Sequence, residues 1–372
     1  MVKGVNLTLM IGPAVPLPVP QVVLEALTGV EVTTTTEGPS VFQLTFNLST
    51  RSPLNTLFLF SGGAPIPLIR VIIVATINGS PEVLMDGVMT NHEVSPGSDT
   101  GHSTLTVTGE DLSRVMDYID FSGIPYPAMP VEARVAMIIA KYAFLGIIPM
   151  VIPTIFTDVP FPTDKIPKQK GKDLGYIKYL AKKVGYVFYV DPGPAPGTSI
   201  AYWGPEIKIG VPQPALNINM DAHTNVESLT FSYNSDARAM PILWITKKIP
   251  IPIPVPDISL LNPPLGLVQP IPKKIYQMTG LAKQSPLEAA LEGLAEAARS
   301  AEAVTGTGSL DVLRYGRILK ARKLVGVRGA GTAFDGLYYV KMVKHTIKRG
   351  EYKQNYELGR NGLISILPRL PL

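Results

Sequence analysis

The sequence contains no cysteine. That excludes disulfides, thiolate metal sites and a thiol nucleophile, and it fits assembly in a reducing compartment. Histidine is scarce as well. His92, His102, His223 and His345 form no HxH, HExxH or HxxxH pair, so metal-ligand spacing is lacking and ordinary strand or loop histidines are expected. No apolar run reaches the roughly 20 residues that a membrane-spanning helix needs. The most apolar one, YAFLGIIPMVIPTIF (Tyr142–Phe156), is broken by Pro149 and Pro153. In the N-terminal MVKGVNLTLMIGPAVPLPVPQ, prolines interrupt the apolar region of a would-be secretory signal, so none is expected.

Catalytic motifs are equally thin. There is no GxSxG elbow, and GTGSLD (306–311) and GVRGAG (326–331) are incomplete phosphate loops that read better as loop geometry. Glu110-Asp111 and Asp117-Asp120 are the carboxylate pairs that glycoside hydrolysis uses. Both lie on or beside a short helix, where acidic residues near the N-terminus are favoured by the helix dipole. Enzyme chemistry therefore has no anchor: the chain reads as a non-enzyme with no catalytic residue, no cofactor and no metal.

What is present points to a large folded chain. At 372 residues and 40.1 kDa it exceeds what one core usually serves, so two or more domains are expected, and 46% apolar against 17% charged residues excludes disorder. A net charge of +5 and a pI of 9.1 raise the question of nucleic acid. The basic residues are spread out except in KQKGK, ARK and KHTIKR, which read as solvated faces or channel walls, so no sequence-specific nucleic-acid binding is expected.

Residues 1–118 read as mainly β. Thr/Val/Phe-rich strands flank Glu37-Gly38-Pro39, and Asn78-Gly79 marks a hairpin. Phe42, Leu44, Phe46 and Leu48 share one strand face, with Gln43, Thr45 and Asn47 on the other. Residues 119–224 read as a mixed α/β segment. Val131, Val135, Ile138, Ile139 and Tyr142 have helical spacing and stop at Gly146. A second helix begins at Asp173, ends at Gly185 and leads into a strand over Tyr186–Val190. Ser285-Pro286-Leu287-Glu288 is a capping box for a third helix reaching Gly306. The 36 prolines cluster in runs that cannot be central strands and read as extended connections. The run from Ile249 to Pro272 is expected to pack against a neighbouring chain.

Two distant stretches share a grammar. In Leu84–Leu112 and in Phe334–Leu363, an Asp-Gly is followed by a strand with a histidine near its end, a glycine-containing turn and a second strand. Asp86-Gly87 and Asp335-Gly336 are read as strand starts, and the pair of hairpins suggests duplication. In the later copy Tyr352, Tyr356 and Leu358 alternate with Lys353, Asn355 and Glu357. Tyr338, Val340 and Met342 share a face, but Val343, His345 and Ile347 take the opposite one, which predicts a bulge or a change of neighbour near Met342.

Three segments, KGKDLGYIKYLAKKVGYVFYVD, LDVLRYGRILKARKLVGVRGAG and FDGLYYVKMVKHTIKRGEYKQNYELGRNGL, together resemble the phage late control D family. These are baseplate central hub proteins of contractile phage tails and extracellular contractile injection systems, and the likeness extends over nearly the whole chain. The resemblance implies an α+β, mainly β fold, with two related β-barrel-like tube domains, inserted helical segments and long proline-rich connections. On this reading residues 1–118 are the first tube domain, 119–224 the mixed middle domain, and 225–248 with 307–372 the second tube domain. Residues 249–306 are an inserted proline-rich connection and helix.

It further implies a homotrimer whose six modules match a hexameric inner tube, a separate spike protein, other baseplate partners, and assembly in the cytoplasm into a tail-like particle. Lys341, Lys353 and Asn355 are then candidate lumen or interface positions. A β-rich trimeric receptor- or carbohydrate-binding tail protein is the alternative.

Overall fold

Phe42, Leu44, Phe46 and Leu48 are at most 7% exposed, while Gln43, Thr45 and Asn47 on the same strand reach solvent. That two-residue period sets the first sheet. The computed structural model describes residues 4–13, 15–48, 68–96, 103–154, 166–246, 249–252, 263–277, 292–294, 297 and 302–366. The chain divides into two compact units: Met1–Ile177 with Phe188–Trp203 and Lys344–Lys353, and Lys178–Val187 with Gly204–Val343 and Gln354–Leu372.

The first unit holds β1 (Val5–Gly12), β2 (Leu17–Pro18), the short helix α1 (Gln21–Ala26), β3 (Leu27–Thr35), β4 (Val41–Leu48), β5 (Arg70–Ile77), β6 (Ser80–Pro96) and β7 (Ser103–Asp111). Their order in the sheet is β2-β1-β5-β6-β7-β4-β3, antiparallel throughout. Asn78 and Gly79 take φ of 49° and 82°, the left-handed pair a tight hairpin requires between β5 and β6. Bulges between Leu27/Gly29, Ile73/Val74 and Met89/Asn91 raise the local twist. Val71, Ile72 and Ile73 are all fully buried, so β5 is covered on both faces and has no polar alternation.

The same unit contains α2 (Val131–Ala140), which buries Val135, Ile138 and Ile139 as its spacing predicts. The helix ends at Ala140, and a separate 3-10 turn over Ala143–Leu145 carries the chain to Gly146 at φ 74°. β8 (Ile147–Val151), β9 (Val187–Pro192) and β10 (Ser199–Gly204) form a small sheet in the order β8-β10-β9, with β8 parallel to β10. α3 (Asp173–Lys183) starts and stops where expected, with Gly185 at φ 72° after it, and the division between the two units falls within it, after Ile177.

The second unit contains β11 (Gln213–Asn217), β12 (Ser228–Tyr233), β13 (Ala239–Thr246), β14 (Ile249–Pro252), β15 (Gly266–Val268), β16 (Lys274–Gln277), β17 (Val304–Asp311), α4 (Val312–Tyr315), β18 (Leu324–Arg328), β19 (Gly336–Lys348), β20 (Glu351–Arg360) and β21 (Leu363–Ser365). Its main sheet runs β12-β17-β20-β19-β18-β11. The tip of the β19/β20 hairpin, Lys344–Lys353, belongs to the first unit. Of the proline runs, β2 and β14 are edge strands, where a missing amide is tolerated.

The fold is mainly β with few helices, as the sequence implied. Three details differ. GTGSLD lies within β17 and is not a loop. The expected helix cannot reach Gly306, which is inside β17 with the Phe231 ring 2.9 Å from where a Cβ would stand. Its capping box, Ser285–Glu288, lies outside the described residues, as does His102.

Candidate functional site

Asp86 and Gly87 lie in the middle of β6 rather than at its start. Their register opposite Ile72 and Val71 brings the Asp86 carboxylate to Arg70 on β5, which donates to it from Nε and NH2, each at 2.7 Å. The side chains are 3% and 0% exposed. Ser199 on β10 donates to the same carboxylate at 3.2 Å, and Arg70 also donates to the Gly197 carbonyl at 3.1 Å. One buried bidentate pair thus fastens the large sheet to the small one within this unit. Burial pushes the Asp86 carboxyl above its ordinary value, against the lowering effect of Arg70 and Ser199. Gly87 is required by close approach, since a Cβ would stand 2.3 Å from the Glu110 carbonyl oxygen on β7.

β7 ends in Asp111, which accepts from the Ser113 amide at 2.9 Å and from the Ser40 amide at 2.6 Å. It thereby caps the 3-10 helix Leu112–Asp117. In the second unit β17 ends in Asp311, which accepts from the Leu313 and Arg314 amides at 2.8 and 3.0 Å and caps α4. Each unit therefore has a strand, a capping aspartate and one short helical turn. Asp111 is committed to these two structural bonds.

Asp335 and Gly336 have a different setting from Asp86 and Gly87. Asp335 accepts from the Ala330 amide at 2.8 Å, closing the loop before β19. Gly336, at φ 120°, begins that strand, and a Cβ there would stand 2.1 Å from the Ser365 Cβ. Arg360, 1% exposed, donates to the carbonyls of Gly362, Asp335 and Ala333 at 2.7–2.9 Å, and its guanidinium stands 4.4 Å from the Tyr338 ring centre. The two Asp-Gly pairs look alike in sequence and act through different contacts.

Lys341 pairs with Glu302 at 2.9 Å, and Glu302 also holds Lys208 at 3.2 Å. Burial raises the Glu302 carboxyl, but Lys208 and Lys341 outweigh it and leave the group below its ordinary value. Lys353 pairs with Glu351 at 3.1 Å, and Asn355 is exposed. His345 is buried and bonds through Nδ1 to the Tyr352 hydroxyl at 2.8 Å, and burial lowers its pKa to about 4. His92 is exposed, so the two histidines are not equivalent. No group of three or more metal-ligating side chains occurs among the described residues, and no helix among them is long and apolar enough to cross a membrane.

The solvent face of the first sheet is rich in hydroxyls and amides. Gln43 and Thr108 stand in register with Glu31 and Asn91, and Thr45 and Thr106 in register with Gly29 and Glu93. A groove of about 420 Å³ opens there between Glu31, Thr33, Gln43, Thr90 and Glu110. Lys344 from the hairpin tip pairs with Glu31 at 2.9 Å on this face.

No protein-family profile matches the sequence, and no curated protein matches it. Solved structures do match. A tail protein from Neisseria meningitidis MC58 superposes with a TM-score of 0.63 at 12% identity, over 97% of this chain and 98% of that one. The 43 kDa tail protein of prophage MuSo2 from Shewanella oneidensis gives 0.60 at 14% identity, over 95% and 98%. The E. coli c3393 protein, a component of the type VI secretion system described as similar to the T4 bacteriophage tail proteins gp27 and gp5, gives 0.51 at 11% identity, over 92% and 77%. The chain has the fold of these tail proteins.

Proposed function

We propose that this chain is a structural hub subunit of a contractile tail or injection particle, of the late control D type. In it, three copies form a ring between a separate spike protein and a hexameric inner tube. The observation that carries this reading is the match of fold along 97% of the chain to the Neisseria meningitidis tail protein, 98% of which is covered. Two further features support it. Each unit has a β-strand that ends in an aspartate-capped helical turn, and a ring of three chains, each with two such modules, would present six positions to a sixfold partner. On this reading the threonine- and glutamine-rich solvent face of the first unit's sheet would meet the lumen or a neighbouring subunit, and so, independently, would Lys341, Lys353 and Asn355 on β19 and β20.

On this reading the particle is assembled in the cytoplasm and the protein performs no catalysis. Residues 253–262 of the proline-rich connection lie outside the described residues, and its described parts pair within the chain, β14 with β13 and β15 with β21. A receptor- or carbohydrate-binding tail protein would instead gather aromatics in a groove. Among the described residues the exposed Tyr118, Phe144, Tyr179 and Tyr233 are scattered over separate elements. The test is the mass of the purified full-length protein in solution with and without its spike partner. A threefold assembly is expected, and a stable monomer in the presence of spike would overturn the reading.

A further inference from the structure

Between Ile166 and Lys183 the chain carries Lys168, Lys170, Lys172, Lys178, Lys182 and Lys183 against one carboxylate, Asp173. This short stretch therefore holds a net charge equal to the +5 of the entire protein, and the remainder is formally neutral. Asp173 does not offset it at the surface. Its side chain is fully buried, accepting from the Tyr142 hydroxyl at 2.7 Å and the Gln169 amide at 2.6 Å and pairing with Lys141 at 2.6 Å.

The helical period sorts the rest. Tyr176, Ile177, Leu180 and Ala181 are buried, whereas Gly175, Lys178, Tyr179 and Lys182, spaced i, i+3, i+4 and i+7, share the solvent face of α3. Lys168, Lys170 and Lys172 are exposed on the segment leading into it. Lys172 meets Asp117 at 3.5 Å and Lys182 meets Glu292 at 3.4 Å, with lysine side chains 45% and 61% exposed, contacts too long and too wet to neutralise them. Lys183 lies 5.5 Å from the Tyr179 ring centre.

Two features indicate what this face meets. The stretch contains six lysines and no arginine. Lysine is depleted and arginine enriched where proteins bury surface against proteins, while phosphate backbones are held well by point charges without base readout. Gly175 is the second. A Cβ there would meet nothing within 4 Å, and its φ is not in the left-handed region, so the fold does not require glycine. Gly175 lies in the first turn of α3, where alanine would still favour the helix more than glycine does. Here it leaves the backbone bare in the middle of the lysine face, with the half-exposed Tyr179 ring beside it as a stacking platform.

We propose that α3 and its leading segment contact the phosphodiester backbone of a nucleic acid, without sequence preference. The inference does not depend on the tail reading.

The experiment uses the full chain and fluorescently labelled mixed-sequence DNA, single- and double-stranded, with binding followed by anisotropy across a salt series. Binding is expected to weaken steeply with salt. The K168Q/K170Q/K178Q variant should lower the log–log salt slope by about 0.7–0.9 for each phosphate contact removed, hence by roughly 2–3 in total. A K323Q/K348Q variant, with lysines neutralised elsewhere on the surface, should bind like the parent, and unchanged thermal melting of both shows that folding is intact. Tyr179→Ala should weaken single-stranded binding more than duplex binding. The proposal is overturned by absence of binding at low salt, by equal losses in the two lysine variants, or by tighter binding to polyglutamate or phosphatidylserine vesicles through the same lysines.

Discussion

Removing Asp86 should expose how the first unit is held together. In Asp86→Ala the Arg70 guanidinium stays buried, 3% exposed, and loses the carboxylate that balanced its charge. Breaking a buried pair on one side costs about 3–5 kcal/mol, because an uncompensated charge is left in a low-dielectric interior. For a unit of this size that corresponds to a fall in melting temperature of roughly 6–20 °C. Replacing both partners with apolar residues, as in R70M/D86L, removes the charge with its counter-charge and should recover most of the loss. Trp203, fully buried on β10, the strand that also carries Ser199, reports the transition by its fluorescence in thermal and urea unfolding. The reasoning is refuted if Asp86→Ala melts within error of the parent, or if the double variant is no more stable than the single one.

Acid should weaken the same unit through His345. Its folded pKa, lowered to about 4 from 6.5, means that the unfolded chain binds the proton first. Stability is therefore full above about pH 6.5 and falls by about 3 kcal/mol as pH drops to about 4; His345→Gln should flatten this dependence in urea titrations at several pH values. Glycine substitutions should split by position. Gly87→Ala must displace the Glu110 carbonyl and should lower the melting temperature, whereas Gly175→Ala should raise stability by about 0.5–1 kcal/mol. Asp311→Ala should cost about 1 kcal/mol by freeing the Leu313 and Arg314 amides, measurable by urea unfolding, and Asp311→Asn should cost less.

Much of this fold was legible because it rests on short periods and on turn chemistry. The alternation of Phe42 to Leu48, the Asn78-Gly79 turn, the buried face of α2 and the bounds of α3 all follow from the residues themselves. The expected slip near Met342 is blunter in the structure. Tyr338, Tyr339 and Val340 are all buried, and beyond Met342 the buried residues are Val343, His345 and Ile347.

What escaped is the polar interior. Nothing local marks Arg70, Ser199 or Arg360 as buried, because register and loop closure, not neighbouring residue types, bring their partners. Gln354 is the exception. It stands on the buried parity of Tyr352 and Tyr356, and there it exchanges hydrogen bonds with the Leu319 backbone at 2.8 and 3.0 Å. The likeness of the two Asp-Gly hairpins misled for a related reason, since identical dipeptides can meet quite different neighbours. The pair that does act alike, Asp111 and Asp311, is not matched in the sequence, where Asp111 reads with Glu110 and Asp311 reads as the end of a loop.

Electron microscopy of intact particles carrying a tagged copy of this chain tests the hub assignment most directly. Three copies should surround the tail axis where the tube meets the spike, each contributing two sheet modules to a sixfold layer. A single copy per particle, or density away from the axis, would contradict it.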